Sequence, residues 1–126
     1  MASVFDPLGI LCRFVLKAKC LIQEMWRENI DWDEELRDGL KLSVKDWINQ
    51  LAYLDKIAIP RCFCHEKNGV LDLQVICDAS QQAYGTVIFT RFETVEKITC
   101  NFVLAKSKVA PSNTLSVPRM ELMSAV

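Results

Sequence analysis

Leu71-Asp72-Leu73-Gln74-Val75-Ile76-Cys77 is the stretch on which the fold turns. Leu71, Leu73, Val75 and Cys77 alternate with Asp72, Gln74 and Ile76, a period of two that places successive side chains on opposite faces of a strand. Two more β-rich runs follow, Thr86 to Arg91 and Ile98 to Ala105, then a polar stretch from Lys106 to Asn113. Ser116 and Pro118 open a new helix that continues in good helix formers from Glu121 to Val126. Residues 70–126 therefore read strand, strand, strand, helix.

Upstream of Ile57 the period is helical. Asp6-Pro7 is a helix opening, with Asp as acceptor for free amides and Pro at the first helical position. Leu8, Leu11, Cys12, Val15, Leu16, Ile22, Met25 and Trp26 recur at three- and four-residue steps, opposite Arg13, Lys17, Gln23, Glu24 and Arg27. Asp31 and Glu34 have capping-box spacing, and a second helix is predicted over about 40–53, with a core face of Leu36, Leu40, Val44, Trp47, Ile48, Leu51 and Leu54. Pro60 and Asn68-Gly69 punctuate the passage between the halves. The division is 1–56 helical, 57–69 linker and 70–126 mainly β. The fold class is α+β, a helical pair followed by a three-stranded antiparallel sheet and one helix.

Apolar residues make up 51% of the 126-residue chain, enough for a core, while 15 Lys and Arg balance 16 Asp and Glu. No global field draws the protein to nucleic acid or anionic lipid, so any nucleic-acid contact must be local. No apolar run is long enough to span a bilayer, and Arg13 and Lys17 interrupt the first apolar stretch before it could serve as a signal peptide. The six cysteines then read as reduced thiols in an intracellular, cytoplasmic protein.

Two carboxylates stand out by position. Asp78 ends the first strand and Glu121 sits in the first turn of the last helix. Carboxylates from two elements that meet across a sheet suit Mg²⁺ or Mn²⁺, and a pair of such ions can activate water in phosphodiester cleavage. By spacing alone the signal is weak, since acids at a strand end or helix start are usually structural or solvated.

The local sequence adds to it. Cys77-Asp78-Ala79-Ser80-Gln81-Gln82-Ala83-Tyr84-Gly85 resembles the D-A-S-x-x-A-[YF]-G segment that opens retroelement ribonuclease H domains. Leu104 through Pro111 and Leu115 through Leu122 look like the blocks that follow it in Bel/Pao-type LTR retrotransposons. Ser3 through Gly9 and Trp26 through Asp33 are similar to the stretch after the polymerase palm of the same elements.

The resemblance implies a piece of a pol polyprotein, with a thumb- or connection-like helical pair leading into a partial ribonuclease H domain with a truncated last helix. The parent would hydrolyse the RNA strand of an RNA/DNA hybrid with two divalent ions, Asp78 and Glu121 being two of its metal-binding acids. The family places a third and a fourth acid further along than Val126, so the expectation is an incomplete site that does not cleave alone. The resemblance also implies a parallel strand beside the first one. Without it that strand's outer edge is unpaired and invites self-association. The alternative is a non-catalytic binding or assembly module derived from a retroelement.

Other candidates have two readings each. Ser80 could orient metal-bound water or the hybrid backbone, or could bond its own backbone in a turn. Arg13, Lys17 and Lys19 could contact phosphates or form a solvated face that also carries Glu24 and Glu28. Cys62, Cys64 and His65 with Cys77 and Cys100 suggest zinc, but a one-residue spacing is not the usual C-x₂-C knuckle, and buried strand thiols explain Cys77 and Cys100 more simply. Trp26 and Trp47 fall on the apolar stripes and read as core. No Asp-Thr-Gly, Asp-Ser-Gly or Asp-Asp motif of an aspartic peptidase or a polymerase palm is present.

Overall fold

The computed structural model describes residues 5–59, 69–111 and 115–126. Helix α1 spans Cys12–Arg27 and α2 Asp38–Gln50, the latter running into a 3₁₀ turn, Leu51–Lys56. Strands β1 (Val70–Ala79), β2 (Ala83–Glu93) and β3 (Ile98–Val109) form an antiparallel sheet in the order β1-β2-β3, and α3 covers Val117–Ser124. The architecture is α+β with an open sheet.

Helix α1 starts later than Asp6-Pro7 suggests. The Asp6 carboxylate does cap, accepting from the Ile10 amide at 3.0 Å and the Leu11 amide at 2.8 Å. Gly9, at φ +69°, turns the chain out of the helical path before Cys12, so Pro7 lies in the preceding turn. The helix closes on Asn29 at φ 53°, with Asn29 N–H donating to Trp26 O and Ile30 N–H to Met25 O, the paired bonds of a Schellman ending. Asp31 and Glu34 make half a capping box: Glu34 accepts from the Asp31 amide at 3.2 Å, but α2 starts only at Asp38.

Helix α1 and the turn before it lie on β3 and the residue that follows it, tied by three bonds. The Ala105 amide donates to Leu8 O at 2.9 Å, Ser107 Oγ to Cys12 O at 3.2 Å and Gln23 Nε2 to Ala110 O at 2.8 Å. Trp26 lies past this contact and is 58% exposed, so it is not the core residue that its stripe position suggests. Trp47 is half-buried against Phe14.

Strand β3 extends beyond Ala105 because Lys106, Ser107 and Lys108 pair with Thr86, Gly85 and Tyr84 of β2, which turns part of the polar stretch into strand. On the other face α3 buries Met120 against Tyr84 and Ala110, flanked by Ala79, Leu115 and Val117. Pro60, Asn68 and the segment with Cys62, Cys64 and His65 lie outside the described residues.

Candidate functional site

Register decides which way the site residues face. Asp78 pairs with Gly85, and Gly85 with Ser107, so the three form one row across the sheet. Ser107 reaches Cys12 of α1, which puts the whole row on the α1 face. The neighbouring row, Cys77 with Thr86, points to α3: Cys77 Sγ contacts Ser124 O at 3.7 Å, and Thr86 Oγ1 donates to the same carbonyl. Gly85 is required in the middle of the first row, because a Cβ there would come within 2.8 Å of Lys106 O and 3.3 Å of Ser107 Cβ.

The Asp78 carboxylate is exposed, and its Oδ1 accepts from the Ala79 amide at 2.9 Å. It borders a groove of about 280 Å³ between β1 and α1, with Cys12, Leu16, Ile76 and Val87 as mainly apolar walls. Ser80 also lines this groove, with its hydroxyl engaged in the β1–β2 turn. It donates to Ala83 O at 3.1 Å and accepts from the amides of Gln82 and Ala83 at 3.3 and 3.2 Å.

Glu121 sits elsewhere. With Pro118 near its start, α3 begins at Val117, so Glu121 is its fifth residue and falls outside the first turn, where the sequence had placed it. Met120 is buried against the sheet, and Glu121, about 100° further round the helix, is exposed. Asp78 faces α1, while Glu121 belongs to the helix on the opposite face. The oxygen chemistry of both suits a hard divalent cation, but their arrangement does not. Among the described residues no group of three or more His, Cys, Asp or Glu could hold a metal ion.

Soft ligands are no better placed. Cys77 faces α3, whereas Cys100, paired with Arg91, belongs to the other face; its side chain is exposed rather than a buried strand thiol.

The basic residues regroup. A second groove, of about 270 Å³ between α1 and β3, is lined by Lys19, Lys106 and Lys108 together with Asp6, whose carboxylate is occupied by backbone amides. Arg13 and Lys17 do not line it. The acids that made α1 look like a mixed solvated face, Glu24 and Glu28, both pair with Arg37. The two grooves share Cys12, Ala105, Lys106 and Ser107, although by register Lys106 and Lys108 stand in the rows of Thr86 and Tyr84, which point to α3. Lys106 and Lys108 were legible only as a Lys-Ser-Lys alternation, which the neighbouring polar residues made look like loop.

Comparison with known families agrees with the order of motifs along the chain. The sequence model of the Pao retrotransposon-like RNaseH-like domain matches residues 1–126. The chain belongs to this family. No curated protein and no solved structure matches it. For a Pao RNaseH-like domain, the structure places the segment Cys77–Gly85 at the β1–β2 hairpin beside the first groove, and the segment Leu115–Leu122 on the far side of the sheet. No helix among the described residues is long and apolar enough to cross a membrane.

Proposed function

We propose that this chain is the hybrid-engaging part of a ribonuclease H unit in a retrotransposon pol polyprotein. The family resemblance carries Asp78 and Glu121 over as two of the acids of a Mg²⁺ or Mn²⁺ site that would hydrolyse the RNA strand of an RNA/DNA hybrid in the complete unit, although their arrangement here does not bring them to one site. Such ions, when bound, activate the attacking water and stabilise the leaving oxygen. The observation that carries this reading is the family match over residues 1–126, together with the Asp78–Gly85–Ser107 row, which opens onto a groove that adjoins one bordered by Lys19, Lys106 and Lys108. Lysines position phosphates without reading bases, as a polymerase-associated nuclease requires.

By itself the chain is expected not to cleave, since Asp78 faces α1 while Glu121 stands on α3, the helix at the other face of the sheet. The protein acts inside the cell, beside the other parts of the polyprotein. Fluorescence anisotropy with a labelled hybrid, followed by gel analysis in Mg²⁺, tests both halves of the proposal. Binding that weakens steeply with salt and no cleavage are expected, with Asp78→Asn changing neither greatly. Cleavage abolished by Asp78→Asn overturns the inactivity, and absence of binding at low salt overturns the hybrid reading.

A further inference from the structure

Ala110, the first residue after β3, is buried, and distant segments engage both of its backbone groups. Its amide donates to Gln82 O in the β1–β2 turn at 2.8 Å, and its carbonyl accepts from Gln23 Nε2 of α1 at 2.8 Å. The bonding continues inside the turn, where the Gln82 amide donates to Ser80 Oγ at 3.3 Å and the Ser80 amide to Ala83 O at 2.8 Å. Next to Ser80, the Ala79 amide donates to Asp78 Oδ1. A path of hydrogen bonds therefore runs from a helix side chain, through one buried residue, to the segment that carries Asp78. Ser80, Gln81 and Gln82 are exposed, so bonds rather than burial fix this turn.

We infer that Gln23 is a positioning residue for the Asp78 hairpin: by holding the Ala110 carbonyl it keeps the Ala110 amide on Gln82 and so fixes the turn that follows Asp78. A carbonyl left without a partner in this buried place is costly. Ala110 would turn it toward water and draw its own amide away from Gln82. Lys19, which borders the second groove, stands one turn before Gln23 on the same side of α1. One helix thus adjoins the lysine groove and steadies the hairpin. The inference rests on the nuclease reading for the role of Asp78, while the linkage itself is independent of it.

Amide hydrogen exchange of the full chain, resolved by NMR, tests this on the free protein, so its failure leaves the hybrid reading standing. Gln23→Glu keeps the size and helix propensity of the side chain but removes the donor and sets a carboxylate against the Ala110 carbonyl. The amides of Ala110 and Ser80 should then exchange about tenfold faster. Thr94, whose amide donates to Lys97 O in the β2–β3 turn at the other end of the sheet, should keep its rate. Gln23→Leu, uncharged and without a donor, should act in the same direction, and Gln23→Lys, which restores a donor, should bring the rates most of the way back. Unchanged rates at Ala110 and Ser80 in Gln23→Glu and Gln23→Leu overturn the inference. So does an equal acceleration at Thr94, which would make Gln23 a general stabiliser, and so does a Gln23→Lys chain that exchanges like Gln23→Glu.

Discussion

Trp47 of α2 stacks on Phe14 of α1, with ring centroids 4.7 Å apart and planes 20° from parallel, and its indole Nε1 donates to the Phe14 carbonyl at 3.0 Å. One side chain thus supplies both apolar contact and a hydrogen bond to the α1–α2 junction. Trp47→Ala should destabilise the chain by about 2–3 kcal/mol, below the range for a fully buried aromatic because Trp47 is only half-buried. Trp47→Phe keeps the stacking and loses the bond, so about 1 kcal/mol is expected. Urea denaturation of both variants checks the ratio; equal losses would mean that the stacking contributes little.

Gly9 and Gly39 predict opposite signs for the same substitution. Gly9 holds φ +69°, and a Cβ there would fall 1.7 Å from Ala105 O, so Gly9→Ala must either break the Ala105–Leu8 bond or shift β3. A loss of roughly 3 kcal/mol is expected. Gly39 lies in the first turns of α2 with nothing within 4 Å of its would-be Cβ, so Gly39→Ala should stabilise by up to about 1 kcal/mol. Thermal melts of the two variants, shifted in opposite directions, are the readout.

The elements themselves were legible in the sequence because each has a strong local cause. Leu71 to Cys77 alternates, Ser116-Val117-Pro118 starts α3, and the second helix, expected over about 40–53, forms as α2 and the 3₁₀ turn after it. What the sequence could not show depends on pairing. Lys106 to Lys108 look like loop until Tyr84, Gly85 and Thr86 are set opposite them, and Trp26 looks like core until α1 is docked with only part of its stripe on β3. The two acids show the same limit. Their residue types and motifs are local, but the face each takes is set by register for Asp78 and by the docking of Met120 for Glu121.

The lysine groove predicts a pattern of salt dependence. Each phosphate contact removed should flatten the plot of log affinity against log salt by about one unit. Lys19→Glu, Lys106→Glu and Lys108→Glu are each expected to weaken hybrid binding and reduce this slope, whereas Arg13→Glu and Lys17→Glu, on residues outside the groove, should change it much less. Among the described residues none of the five takes part in an ion pair, so stability should hardly move. Equal effects from all five would replace the groove by a diffuse basic surface.

Cys20 gives the pH prediction. Burial pushes its thiol above the ordinary value, and Arg27 nearby opposes this without cancelling it. The native state therefore keeps the proton over a window where the unfolded chain has lost it. The corresponding stability is intact below the ordinary thiol pKa and is lost as pH rises through the folded value. Cys20→Ala should remove this part of the alkaline destabilisation, and Arg27→Gln should raise the thiol pKa further. Iodoacetamide labelling followed by mass spectrometry reads the same property kinetically, since the thiolate is the reactive form. At neutral pH the exposed Cys100 should label well before Cys20, and Arg27→Gln should slow Cys20 again. If Cys20 labels as fast as Cys100, its thiol is not shielded in solution as the fold places it.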